Sequence, residues 1–257
     1  MNGQLIYSHN KIVEAKINME LSKELFDMPI IHCFNGDDDL KYEKYLENYL
    51  IKINNNGHFQ GAVDLINLGI HKAEEIDIDY LIVTAADTWI TDKYFADKII
   101  NEMKKNNQVL ACSSWGTPDN ESIFRTGFSL DFFIIDINWQ KNSKFFPLNY
   151  ELYLSKYLEI NFALGGTYLI PERAFSYYWL KYWNTKHRDS DLSAFAKLNM
   201  RRIIEREPIH SNKFKERKME WNEIGLYTYH ENLDQKKLLS KLKNKIPLGP
   251  IAKNFIL

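Results

Sequence analysis

Short apolar runs alternate with amphipathic stretches through the first half of the chain. Gln4-Leu5-Ile6-Tyr7 reads as a strand, residues 13–26 as a helix and Pro29-Ile30-Ile31-His32-Cys33-Phe34 as a second strand. Residues 41–53, rich in Tyr, Leu and Lys, predict a helix. In 61–76 the apolar positions Ala62, Leu65, Ile66, Ile70 and Ala73 fall close to helical spacing. Tyr80-Leu81-Ile82-Val83 predicts a buried strand, 92–105 a helix and 108–112 another strand. This alternation implies a mostly parallel sheet with helices on both faces. The second half is less regular. Residues 128–137 are long and β-rich, and 142–157 mix aromatics with Pro147 and Asn149. Residues 167–170 read as a strand, 172–182 as a helix, 191–199 as a short helix and 202–206 as a strand. From Gln235 to Ile246, Leu238, Leu239 and Leu242 share a side with Ile246 among five lysines, a basic amphipathic helix that Pro247 ends. The expected architecture is one α/β domain with an irregular second lobe and a C-terminal helical tail.

Composition narrows the class. With 257 residues, 45% of them hydrophobic and 14% aromatic, the chain is too apolar for a disordered protein and long enough for a sizeable core without disulfides. Cys33 and Cys112 sit in apolar strands without metal-ligand spacing, as expected of a reduced, cytoplasmic protein. No charged n-region with an apolar h-region opens the sequence, and no apolar run approaches the roughly 20 residues of a membrane helix. A formal net charge of −1 argues against a nucleic-acid footprint over the whole surface. That sum conceals an asymmetry: residues 1–200 carry 20 basic and 27 acidic side chains, residues 201–257 carry 13 and 7.

In open α/β sheets ligands bind beyond the carboxyl ends of the strands, so the polar residues that follow strands are the candidates. They are Asn35-Gly36-Asp37-Asp38-Asp39, Thr84-Ala85-Ala86-Asp87-Thr88 and Ser113-Ser114-Trp115-Gly116. Gly165-Gly166 precedes the Thr167 strand, and His187-Arg188-Asp189-Ser190-Asp191 opens a helix. No Gly-x-Gly-x-x-Gly follows the first strand and there is no P-loop, which disfavours dinucleotide binding and ATPase chemistry.

Four of these segments resemble the family-2 glycosyltransferases, in that family's order. Phe59-Gln60-Gly61-Ala62-Val63-Asp64-Leu65-Ile66-Asn67-Leu68-Gly69-Ile70 is similar to the family's glycine segment ending in Asn-x-Gly-Ile. Asp79 to Thr88 resembles the strand that ends in its Asp-x-Asp motif. Gly165 to Phe175 resembles its glycine-led strand before the acceptor helix, and Arg188-Asp189-Ser190-Asp191-Leu192 its Glu-Asp-x-Asp-Leu motif. The resemblance implies a GT-A fold, a Rossmann-like and mostly parallel sheet flanked by helices. It covers a catalytic domain over residues 1–230, with a nucleotide-sugar half at 1–115 and an acceptor half at 116–230, and leaves a basic tail at 231–257.

By the same resemblance, the chain is a glycosyltransferase of polysaccharide biosynthesis. It moves a hexosyl or related sugar, with inversion, from a nucleotide-diphosphate sugar to a glycan or lipid-linked saccharide, and it involves no nucleic acid. Asp189 falls on the catalytic base and Asp191 on a supporting carboxylate; as Asp and Ser, residues 189 and 190 also suit a helix N-cap. Asp87 falls on the ligand of a Mg²⁺ or Mn²⁺ that would neutralise the leaving diphosphate, with His210 assisting. Asn35, Asp37, Gly61 and Asn67 fall by the nucleotide, and Trp115 and Gly166 by the acceptor; the other aromatics of 145–157 read mainly as core. Two departures stand out. Ala85 occupies the place of the first carboxylate of Asp-x-Asp, and Arg188 that of the Glu before the base. They keep a second class in view, a non-catalytic sugar-nucleotide binder or assembly protein. The lysine-rich tail would suit a solvated docked helix or peripheral contact with an anionic membrane.

Overall fold

The computed structural model describes residues 1–36, 49–90, 93–114, 128–156, 171–183, 200–202, 209–210, 217–220 and 226–229. Its elements in chain order begin with β1 (Asn2–His9), α1 (Ile12–Leu25), β2 (Ile30–Asn35), β3 (Tyr49–Ile53), α2 (His58–Glu75), β4 (Tyr80–Ala85), β5 (Thr88–Ile90) and α3 (Lys93–Lys105). They continue with β6 (Leu110–Ser114), β7 (Phe128–Asp136), α4 (Ile137–Ser143), α5 (Tyr150–Ser155), α6 (Pro171–Tyr182) and four short strands. Those strands are β8 (Met200–Arg202), β9 (Ile209–His210), β10 (Arg217–Glu220) and β11 (Leu226–Tyr229).

Seven strands form one sheet in the order β3-β2-β1-β4-β7-β6-β8. All neighbours run parallel except β7, which opposes both β4 and β6. A second sheet, β5-β11-β10-β9, is antiparallel throughout and starts one residue after Asp87. The mixed α/β architecture expected from the sequence is therefore present. No helix among the described residues is long and apolar enough to cross a membrane.

Alternation along the strands sorts the core onto two faces. Leu5, Ile31, Cys33, Leu81, Val83, Phe133 and Ile135 pack in one cluster with α2 and the buried residues of α6. Ile82, Phe132 and Ile134 face α3, while Ile6, Ile30 and Phe34 meet Ala15 and Met19 of α1. The approach of α2 to the sheet is unusually close. A Cβ on Gly69 would stand 2.3 Å from a Leu5 methyl, so only glycine lets the helix lie against β1 at that level.

The sequence reading needs correcting at residues 49–53, which form edge strand β3 rather than the end of a helix. Half-buried Ile51 and Ile53 alternate with exposed Leu50 and Lys52, a period of two. Residues 41–48 lie outside the described residues, as do the expected elements at 167–170 and 191–199 and the tail from 231. The aromatic stretch is core, as expected: Phe145, Phe146, Tyr150 and Tyr153 are buried beside Phe175 and Trp179.

His32, fully buried on β2, bonds its Nε2 to Ser8 Oγ at 3.0 Å. Burial lowers its pKa to about 4. An unfolded histidine protonates near 6.5, so the unfolded state takes the proton first as pH falls. Stability should be intact above about pH 6.5 and fall by about 3 kcal/mol as pH drops towards 4. Thermal denaturation across that interval should show the loss, with a flatter slope in His32→Gln.

Candidate functional site

The strand order turns back between β1 and β4, and the carboxyl ends of both strands meet there. In register, Tyr7 lies beside Ala85 and Cys33, and His9 beside Asn35. Because β7 runs against β4, with Phe132 opposite Thr84, an early β7 residue, Asp131, reaches this same edge.

The turn after β4 is fixed from below. Ala86 N donates to Tyr7 O at 2.9 Å. Asn18, fully buried on α1, donates its amide to Ala85 O at 3.1 Å and Thr88 O at 2.9 Å. The indole of Trp89 reaches Glu14 O at 3.3 Å. Asp87 sits in this turn with its side chain only 5% exposed. A carboxylate so enclosed needs a cation or several donors to stay charged. Lys11, two residues past β1, supplies the cation by an ion pair with Asp87 Oδ2.

Beside the pair, His9 Nδ1 donates to Asn35 Oδ1 at 2.8 Å. Asn35 is completely buried, and its Nδ2 has no hydrogen-bond partner among the described residues. A Cβ on Gly61, in the first turn of α2, would lie 1.8 Å from that nitrogen, so glycine makes room for the amide. Helix α2 opens on Gly57, at φ +80°, with no side-chain cap, which leaves its amino end without a side-chain acceptor. His58, its first residue, meets the His9 ring edge-on with centroids 5.6 Å apart. Burial, then His9 and Lys11, lower the His58 pKa against the opposing pull of Asp87 and Asp131. The Tyr7 hydroxyl is pushed well up by burial and by Asp131, Glu172 and Asp87. An ammonium, two imidazoles and a helix amino end thus share one edge with buried carboxylates. Such donors suit a phosphate-bearing ligand.

Of the residues singled out from the sequence, Asn35, Gly61 and Asp87 come together here. Asn67 does not. Its amide donates to Leu148 O and accepts from Leu148 N, both at 2.9 Å, tying the middle of α2 to the loop between α4 and α5. The mid-helix asparagine is a packing bracket between α2 and that loop. His210 lies on β9, the edge strand three places from β5 in the small sheet. Asp37, Trp115, Gly166, Asp189 and Asp191 lie outside the described residues. Sequence reasoning missed Lys11, His9 and His58. The strand-end rule applied to β1 would have found the first two. His58 was hidden because 49–53 read as helix, which obscured the strand-to-helix passage before α2.

The described residues at this edge do not by themselves supply the ligands of a divalent cation. Such an ion takes about six oxygen ligands, several from carboxylates. Here Asp87 is already paired with Lys11 and Ala85 offers no oxygen side chain. Among the described residues no three His, Cys, Asp or Glu side chains gather as ligands. Two shallow hollows lie away from this edge, one against Tyr49–Ile51 and α2, the other by Met1, Asn2 and the end of α1.

No family model matches the chain, and no curated protein matches it. Among solved structures it is similar to mouse xyloside xylosyltransferase 1 in its apo form, at 10% identity over 72% of this chain and 83% of that one, TM-score 0.44. It is also similar to a protein from Desulfovibrio desulfuricans G20 provisionally designated a nucleotide-diphospho-sugar transferase, at 8% identity over 79% and 80%, TM-score 0.41. A third is the mannosyltransferase PcManGT from Pyrobaculum calidifontis in complex with GDP-Man and Mn²⁺, at 9% identity over 55% and 46%, TM-score 0.37. At that distance, residue roles rest on the edge itself.

Gly61→Ala should displace Asn35 and lower stability by about 1–3 kcal/mol in urea denaturation, the usual cost of overpacking. Asn67→Ala should cost a similar amount, about 1–3 kcal/mol, by leaving both polar groups of Leu148 without partners.

Proposed function

We propose that the chain is an inverting glycosyltransferase using a nucleotide-diphosphate sugar. The observation that carries this reading is Asp87, buried at the end of β4 where the strand order reverses, within one edge that also gathers Lys11, Asn35 and the start of α2. The four family-2-like segments, one of them carrying this residue next to its end, support it.

In this reading the acceptor hydroxyl oxygen bonds to the anomeric carbon as the bond from that carbon to the diphosphate oxygen breaks. Asp189 takes the hydroxyl proton, with Asp191 supporting it, through an oxocarbenium-like transition state. The departing diphosphate gains charge, which Lys11 and the amino end of α2 are placed to meet. Asn35 and Asp37 border the nucleotide, while Trp115 and Gly166 border the acceptor, a glycan or lipid-linked saccharide. Residues 1–115 serve the donor and 116–230 the acceptor. The basic tail at 231–257 faces anionic acceptor or lipid headgroups, in keeping with work on the cytoplasmic side of a membrane.

Ala85 and the Lys11 pair on Asp87 favour a second reading, a sugar-nucleotide binder without transfer activity. One experiment separates them. Titration with UDP, GDP and TDP should raise the melting temperature with at least one nucleotide, and the matching sugar nucleotide should turn over. Asp189→Asn should abolish turnover while leaving that stabilisation in place. Stabilisation without turnover would select the binder, and no stabilisation by any nucleotide would remove both readings.

A further inference from the structure

The Lys11–Asp87 pair occupies the position where the sequence resemblance puts a divalent metal. Asp87 presents its carboxylate from the turn after β4, and Lys11 reaches it from the turn after β1, across the point where the strand order reverses. Both residues stand on anchored backbone. The Lys11 carbonyl accepts from Ala15 N at 3.0 Å in the first turn of α1, and the turn that carries Asp87 is held by the Asn18 amide through Ala85 O and Thr88 O. About a third of the Lys11 side chain is exposed against 5% of Asp87, so the cation is the member of the pair that faces outward. A divalent ion bound to the same carboxylate would stand within about 4 Å of that ammonium, in a partly buried setting that strengthens their repulsion. Ala85 withholds the second oxygen such an ion would need.

We propose that Lys11 replaces the metal: the diphosphate of the donor is bound by this ammonium together with the His9–His58 pair, and binding is independent of divalent cations. Asp87 is then the anchor that orients Lys11 rather than a metal ligand. A lysine ammonium is a compact point charge with three donors, suited to bridging a carboxylate behind it and phosphate oxygens in front. The inference rests on the transferase reading, since it names how that reading's donor is held.

Isothermal titration calorimetry with UDP, GDP and TDP, in EDTA and in Mn²⁺, tests it on the whole chain. The nucleotide that binds should do so with dissociation constants within about threefold of each other in the two buffers. The paramagnetic resonance signal of free Mn²⁺ should be no lower with protein and nucleotide than with nucleotide alone. Lys11→Gln should weaken binding in EDTA by about tenfold or more, the loss of one charge-assisted hydrogen bond, whereas Lys11→Arg should retain most of it. The wild-type comparison stands even where Lys11→Gln does not fold. Binding that needs Mn²⁺, or tightens tenfold with it as the free-ion signal falls, overturns this inference and leaves the transferase reading in place. Binding in neither buffer overturns both.

Discussion

A carboxylate withdrawn from water has to be matched by opposite charge or it does not stay ionised. Asp87 imposes that condition on the sheet edge around it. The β4–β5 turn places it there, Asn18 and Tyr7 O hold the turn, and Lys11 provides the charge from the neighbouring strand. Each of these contacts joins segments some 65 to 80 residues apart in sequence, so the edge is organised only once β1, β4 and α1 have assembled. Folding of the sheet and organisation of the site are the same event.

Helix α2 is the second constraint. Its first turn touches the Asp87 edge through His58 and Gly61, its middle is bracketed to Leu148 by Asn67, and Gly69 lets it lie on Leu5. The aromatic core of Phe133, Phe145, Phe146, Phe175 and Trp179 packs in the same cluster. The polar edge therefore stands on a wall whose position is set by apolar packing and two close glycine contacts.

The parallel sheet was legible because its buried strands are continuous apolar runs, and Asn35 and Asp87 stood out because strand-end polar residues contrast with them, whereas Gly61 was singled out only through the family resemblance. Edge strand β3 was not legible, since Tyr, Leu and Lys at 49–52 fit a helix as well as a half-exposed strand. The direction of β7 was also hidden, because an apolar run has no polarity of its own. The bond of Asn67 to Leu148 was hidden for a physical reason: an asparagine amide in mid-helix fits a ligand or a neighbouring backbone equally well, and only the fold brings Leu148 to it. Lys11 escaped notice because a lysine after a strand is ordinarily solvated. Its significance comes from a carboxylate 76 positions later.

The reversed direction of β7 has an evolutionary side. Ser114 at the end of β6 pairs with Phe128 at the start of β7, so both ends of the intervening connection stand at the ligand edge. Register pairs farther along, Leu110 with Ile135 on one side and Val83 with Phe133 on the other, fix β7 between β6 and β4. A polar residue early in β7, such as Asp131, can therefore alter the chemistry of the edge while the apolar residues farther along the strand keep it in place.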